Sequence, residues 1–191
     1  MQEMKRTLLE QAQALQLSLS QQTADRLCQF GEAVIRQNEV MNLTTITKPA
    51  QVAKLHLLDS LGKRMKWLET VLPELSVEAR CITARAEEAV TELRESYDYA
   101  TSRAVARLNI LLELTAPYVK PGGAVLAMKG SAAREELEEA KNAMKKLGLK
   151  LEKIHDFTID GGQHSVIVLR KTGFTPPQYP RRFAKIKQAP L

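Results

Sequence analysis

No two of the nine glycines in this 191-residue sequence stand two positions apart, so it contains no G-x-G and therefore no G-x-G-x-x-G. The usual glycine-rich turn between a strand and a helix, which cradles nucleotides and their relatives, has no residues to form from. Cysteine is scarce. Cys28 and Cys81 make neither a disulfide framework nor a metal motif. The three histidines, His56, His155 and His164, are too scattered for a metal site. No apolar run reaches membrane-spanning length. The opening "MQEMKRTLLEQAQALQL" lacks the layout of a signal peptide. These absences predict a reduced, cytoplasmic protein with no metal and no membrane partner.

Acidic residues are missing from one end. From Gly161 onward there are six Lys or Arg and no Asp or Glu, so the net charge of +6 resides there and the rest of the chain is neutral. A basic end on a neutral body suits a phosphate-tracking surface. It equally suits a solvated tail.

The first third reads as helical. Apolar residues recur at helical spacing over 3–17, and Ser20 is placed to cap a second helix carrying Leu27, Phe30, Val34 and Ile35. "NEVMNLTT" favours a turn around Asn42 and Thr44. A third helix is predicted from Pro49 through Leu55, Leu58, Leu61, Met65, Leu68 and Leu72, ending before Pro73. Beyond it the pattern alternates. Strands are predicted at "RCITA", "YDYATS" and "AVLAMKG". Helices are predicted at "RAEEAVTEL", "VARLNILLELTAPYV" and "AAREELEEAKNAMKKLG", the last stopped by Gly148. "LKLEKIHDFTI" and "HSVIVLRK" make a hairpin around "DGGQ". This is an α/β pattern with a mostly parallel sheet and a final antiparallel pair. "TPPQYPRRFAKIKQAPL" reads as a Pro-rich basic tail with little regular structure.

The segments "NEVMNLTTI", "HLLDS", "LLDSLGKRMKWLE", "ARAEE", "YDYATSRAVARL", "LLELTAPYVKPGGAVLAMKG" and "PPQYPRRFAKIKQAPL" run in one order and cover nearly the whole chain. Together they resemble the bacterial small-subunit ribosomal RNA methyltransferase G family, also called glucose-inhibited division protein B. The resemblance implies a Rossmann-like class I methyltransferase fold behind a helical N-terminal segment. It also implies transfer of a methyl group from S-adenosylmethionine to N7 of a guanine in 16S ribosomal RNA, with that RNA or the small ribosomal subunit as partner. Guanine N7 carries a lone pair and no proton, so the reaction needs positioning rather than a general base. That accords with the absence of any Ser/His/Asp or Cys/His constellation.

In the family, a first strand, a turn similar to "DVGTGAGFPG", a helix and a second strand separate "HLLDS" from a second "LLDSLGKR". Here the two are one, within "LHLLDSLGKRMKWLE" at 55–69. The stretch is expected to be a junction that reads as a helix, and the fold to lack the first two strands of its sheet. The third and fourth strands then lose their usual neighbours. The expected organisation is a helical segment at 1–58, a truncated methyltransferase domain at 59–173 and the basic tail at 174–191.

The resemblance also implies site residues. Asp59 matches the carboxylate that holds the cofactor ribose, although its strand is expected to be gone. Ala86 and Glu87 match the adenine-side loop, and Arg103 matches a cofactor-contacting arginine. Lys129 lies at the carboxyl end of a strand and would face the target. Arg181 and Arg182 would contact RNA phosphate. Asn42, Thr44 and His56 resemble positions near the site. Read without the resemblance, Glu87 is a first-turn helix carboxylate and Arg103 a surface arginine. Tyr97 and Tyr99 read as core residues of a strand. Two functions remain open: a methyltransferase impaired by the missing turn, or a non-catalytic RNA-binding remnant.

Overall fold

The computed structural model describes residues 2–14, 18–38, 55–159 and 161–191. The chain divides into two compact units, residues 1–84 and 85–191.

The first unit opens with two helices, α1 (Gln2–Ala14) and α2 (Gln21–Asn38). Ser20 caps α2 as expected, its Oγ accepting the Thr23 N–H at 3.1 Å. Lys5 pairs with Asp25 across the two helices at 2.5 Å. The expected turn at Asn42 and Thr44 and the start at Pro49 lie outside the described residues. Then come β1 (Leu55–Asp59), α3 (Gly62–Glu74) and β2 (Ala79–Thr83). β1 and β2 pair in parallel, Leu57 opposite Cys81. Leu57, Met65 and Leu72 are buried between strand and helix, and Phe30 of α2 packs on Trp67 of α3 with ring centroids 6.2 Å apart.

The continuous helix predicted through 55–59 is therefore corrected: Leu55–Asp59 is a strand. "LHLLDSL" satisfies both periods, and five residues are too few to separate them. Two interactions decide. Parallel pairing to β2 takes up the backbone groups of 55–59. The Asp59 carboxylate then accepts the Leu61 N–H at 2.8 Å, turning the chain into a fresh helix at Gly62. Pro73 sits inside the last turn of α3 rather than beyond it.

The second unit is a helix-backed sheet. Its elements are α4 (Ala86–Leu93), β3 (Tyr97–Arg103), α5 (Leu108–Thr115), β4 (Val119–Lys129), α6 (Ala133–Glu139), α7 (Lys141–Leu147), β5 (Leu149–Ile159), β6 (Gly162–Lys171) and α8 (Phe183–Gln188). The strand order is β3-β4-β6-β5, with β3 parallel to β4 and the other pairings antiparallel. The helix predicted over 132–148 is two, interrupted at Ala140, and Gly148 ends the second in the left-handed conformation (φ 69°). Leu108, Leu111 and Leu112 of α5 and Ala143 and Leu147 of α7 bury against Val125, Ala127, Ile167 and Leu169 of the sheet. β2 and β3 do not re-pair: they belong to separate sheets.

The segment after β6 is not a loose tail. Glu95 Oε1 accepts the Thr175 N–H at 2.7 Å and the Lys171 ammonium at 3.1 Å. Arg94 donates to the carbonyls of Thr175 and Tyr179. Lys171 is fully buried, and burial pushes its pKa below the ordinary amine value against the pull of Glu95. Among the described residues, then, the basic end is a folded, hydrogen-bonded part of the second unit.

Candidate functional site

Asp59 ends β1, so the strand it was expected to have lost is present. A parallel strand with a carboxylate at its carboxyl end is the arrangement the ribose-holding role requires. Both carboxylate oxygens already have partners: Oδ1 accepts from Leu61 N–H, and Oδ2 meets the Arg64 guanidinium at 2.9 Å. The backbone carbonyl of Asp59 accepts the Ala84 N–H at 3.2 Å, tying the ends of β1 and β2 together.

Ala86, Glu87 and Arg103 belong to the second unit. Ala86 begins α4, and its carbonyl accepts the Tyr118 hydroxyl at 2.5 Å. Burial, then the neighbouring Tyr97 and Glu87, push the Tyr118 pKa up, so this donor keeps its proton. Glu87 is nearly buried and accepts the Arg85 Nε–H at 2.7 Å. Arg85 in turn lies over the Phe183 ring, 5.1 Å from its centroid. The first turn of α4 is thus held from two sides, by Tyr118 beneath it and by α8 through Arg85. Arg103 is exposed at the carboxyl end of β3.

Lys129 ends β4 beside Arg103, with Arg103 opposite Met128 in the register. It was expected to face a target, but its side chain is only 8% exposed. Its ammonium donates to the Ala106 carbonyl at 2.5 Å and pairs with Glu136 at 2.7 Å. The same Glu136 oxygen accepts the Leu108 N–H at 2.7 Å, while Arg107 reaches Glu135 and Glu139. Carboxylates from α6 therefore hold the loop that leads from β3 into α5. Lys129 neutralises one of them.

Arg181 likewise has internal partners. Its Nε and Nη2 donate to Glu113 at 2.8 and 2.6 Å, its backbone N–H donates to the same carboxylate, and Nη2 also reaches the Ala189 carbonyl. Glu113 is fully buried. A buried carboxylate needs a paired cation, so the guanidinium is committed inward. Arg182, the next residue, is exposed at the start of α8.

Sequence reasoning missed Arg85, Glu95, Glu113 and Tyr118. The one local signal was the two-residue step from Arg85 to Glu87 in "RAEE"; the other contacts join residues far apart in the chain. Among the described residues no group of three or more His, Cys, Asp or Glu could hold a metal ion, and no helix is long and apolar enough to cross a membrane.

Residues 50–166 match the family described as rRNA small subunit methyltransferase G. Ribosomal RNA small subunit methyltransferase G of Thermotoga neapolitana is 46% identical over 140 residues, covering 72% of this chain and 61% of that protein. The chain thus spans about three-fifths of that relative's length. The protein of the same name from Desulfitobacterium hafniense is 32% identical over 224 residues, covering 94% of each. That match is longer than the 191 residues available here, so the relative carries positions that have no counterpart in this chain. Among solved structures, M. jannaschii TYW2 in complex with AdoMet matches with a TM-score of 0.50 and 16% identity, covering 62% of this chain and 58% of that one. P. horikoshii TYW2 in complex with MeSAdo matches with a TM-score of 0.50 and 18% identity, covering 62% and 48%. At such identities the likeness is one of fold.

Proposed function

The chain belongs to the ribosomal RNA small subunit methyltransferase G family, and on that premise we propose that it is an S-adenosylmethionine-dependent 16S ribosomal RNA guanine-N7 methyltransferase by descent, impaired in methyl transfer by the loss of its glycine-rich cofactor turn. The family match through 50–166 carries the first part. The glycine spacing carries the second.

Each unit by itself carries a group that suits part of the cofactor. Asp59, at the end of a parallel strand, has the chemistry to hold ribose hydroxyls, provided its bonds to Leu61 and Arg64 are shared or exchanged. The first turn of α4, with Ala86 and Glu87, is braced by Tyr118 and Arg85 and offers a fixed wall for an adenine. The methionine half lacks its usual cradle: a carboxylate and an amine suit clustered backbone N–H donors at a glycine-rich strand-to-helix turn, and the sequence has no G-x-G to form one. When bound, the cofactor supplies a methyl group on a sulfonium, which an N7 lone pair can take without a base. The protein's task in such a reaction is placement, and placement is what a one-ended grip loses.

Arg182 is the one of the three proposed RNA-facing residues whose side chain is exposed, and it is the one we assign to phosphate. Small-subunit ribosomal RNA is the proposed partner. The alternative, an RNA-binding remnant without catalysis, is favoured by the internal partners that already occupy Asp59.

The test is methyl transfer to small-subunit ribosomal RNA from radiolabelled S-adenosylmethionine. It compares the chain as it stands with a version carrying the Desulfitobacterium relative's extra positions inserted at "LLDSL". Activity gained only on insertion supports impairment. Full activity without insertion overturns it. No activity in either, with RNA still bound, moves the assignment to the remnant.

A further inference from the structure

The loop from β3 into α5, residues 104–107, is held in an unfavourable shape. Ala104 has φ 54°, in the left-handed region that a non-glycine residue seldom enters. Just beyond it three consecutive residues are pinned from outside. The Ala106 carbonyl accepts the Lys129 ammonium at 2.5 Å. Arg107 pairs with Glu135 and Glu139. The Leu108 N–H donates to Glu136 at 2.7 Å. Lys129 and Glu136 also pair with each other at 2.7 Å, their side chains only 8% and 13% exposed. Ala104 and Val105 are left exposed, Val105 at 61%.

Neither feature is what stability alone selects. A nearly buried ion pair recovers little beyond its desolvation, and neutral groups of similar size fill the same space without that cost. An L-residue at positive φ persists only where its surroundings over-determine it, and such residues gather at places that bind ligands. This loop leaves the carboxyl end of β3, alongside the carboxyl end of the parallel β4. That is the edge where α/β sheets take their ligands. The pinned side of the loop is 106–108, and the presented side is 104–105.

We infer that Glu136 and Lys129 are positioning residues, holding the β3–α5 loop in the strained conformation that presents Ala104 and Val105 to ribosomal RNA. The inference rests on the RNA partner proposed above and adds the loop conformation in which the chain meets it. Lys129 acts through the loop rather than by touching the target. Without the clamp, Ala104 relaxes to negative φ and the RNA-competent loop becomes a minor form. The penalty of an L-residue at left-handed φ sets the population of that form at about a tenth. Apparent RNA affinity falls by the same factor.

Filter binding of the full chain to small-subunit ribosomal RNA, at one fixed salt concentration, tests it. Lys129→Met combined with Glu136→Gln removes one charge of each sign, so the long-range attraction to RNA is unaltered. Affinity should fall about tenfold, with the circular dichroism spectrum unchanged. Adding Ala104→Gly to the pair should recover most of the loss, because glycine takes positive φ without penalty. A role confined to stability would give no such recovery. An unchanged affinity in the double variant, or a loss that Ala104→Gly leaves in place, overturns the inference while the RNA reading stands. A parent chain that binds no RNA removes both. If the double variant misfolds, amide exchange carries the test. The amides of 104–107 should gain protection when RNA binds the parent chain, and no gain overturns the inference.

Discussion

Arg181 grips Glu113 through two guanidinium nitrogens, at 2.8 and 2.6 Å, and the Glu113 side chain is entirely buried. The pair fastens the C-terminal segment to α5. Arg181→Ala strands a buried carboxylate and should cost about 3–5 kcal/mol of folding free energy. Urea denaturation monitored by circular dichroism measures it. A loss below about 1 kcal/mol, the range of a surface pair, would show that the contact is not structural.

Arg182 gives the opposite expectation. It is exposed, so Arg182→Ala should leave the urea midpoint unchanged. If it meets phosphate, the slope of log affinity for small-subunit ribosomal RNA against log salt should fall by about 1. Filter binding at several salt concentrations reads that slope. An unchanged slope removes Arg182 from the RNA contact.

Asp59 is a turn-former as well as a candidate ribose ligand. Asp59→Ala removes the acceptor for Leu61 N–H and the partner of Arg64 and should cost about 1–2 kcal/mol. Asp59→Asn keeps an acceptor and loses the ion pair, so it should cost about 1 kcal/mol or less. Equal losses in the two variants would show that the turn does not depend on that hydrogen bond.

The β5–β6 hairpin should weaken in acid. The Arg170 hydrogen bonds hold the Glu152 carboxyl below its ordinary pKa of 4.5, and Ser165, then Arg134, hold Asp156 below 3.8. Both groups are ionised more readily in the folded chain than in the unfolded one. Their contribution is therefore complete above the ordinary values and is lost as pH falls through the depressed ones. Amide protection in 149–171, relative to the intrinsic exchange rate at each pH, should fall below about pH 4. In a Glu152→Gln, Asp156→Asn variant that extra acid sensitivity should vanish.

Much of the fold was legible in residues whose effect is local. Ser20 caps a helix by reaching three residues on, and Gly148 stops one because its backbone turns left-handed there. The alternation of β5 and β6 is written in their own side chains. β1 was not legible. A five-residue stretch with leucines at 55, 57 and 58 fits a helix face or a strand, and what decides is β2, more than twenty residues later. The break at Ala140 leaves no mark, since alanine favours helix on both sides of it. For the candidate site, motif order put forward Asp59, Glu87 and Arg103, yet it could not show which charges were already taken. Glu113 and Arg181 are 68 residues apart, and Lys129 meets Glu136 from a strand end to a helix. Basic composition therefore could not show that Lys129 and Arg181 are paired inside the fold.

Calorimetric titration of S-adenosylmethionine into the full chain tests the central claim most directly, with near-ultraviolet circular dichroism establishing that the protein is folded and the Desulfitobacterium relative as control. A chain that has the fold and Asp59 but no glycine-rich turn should show no saturable heat at concentrations that saturate the control. Saturable one-to-one binding of comparable strength would contradict the account, because the methionine end would then be held by groups other than the missing turn.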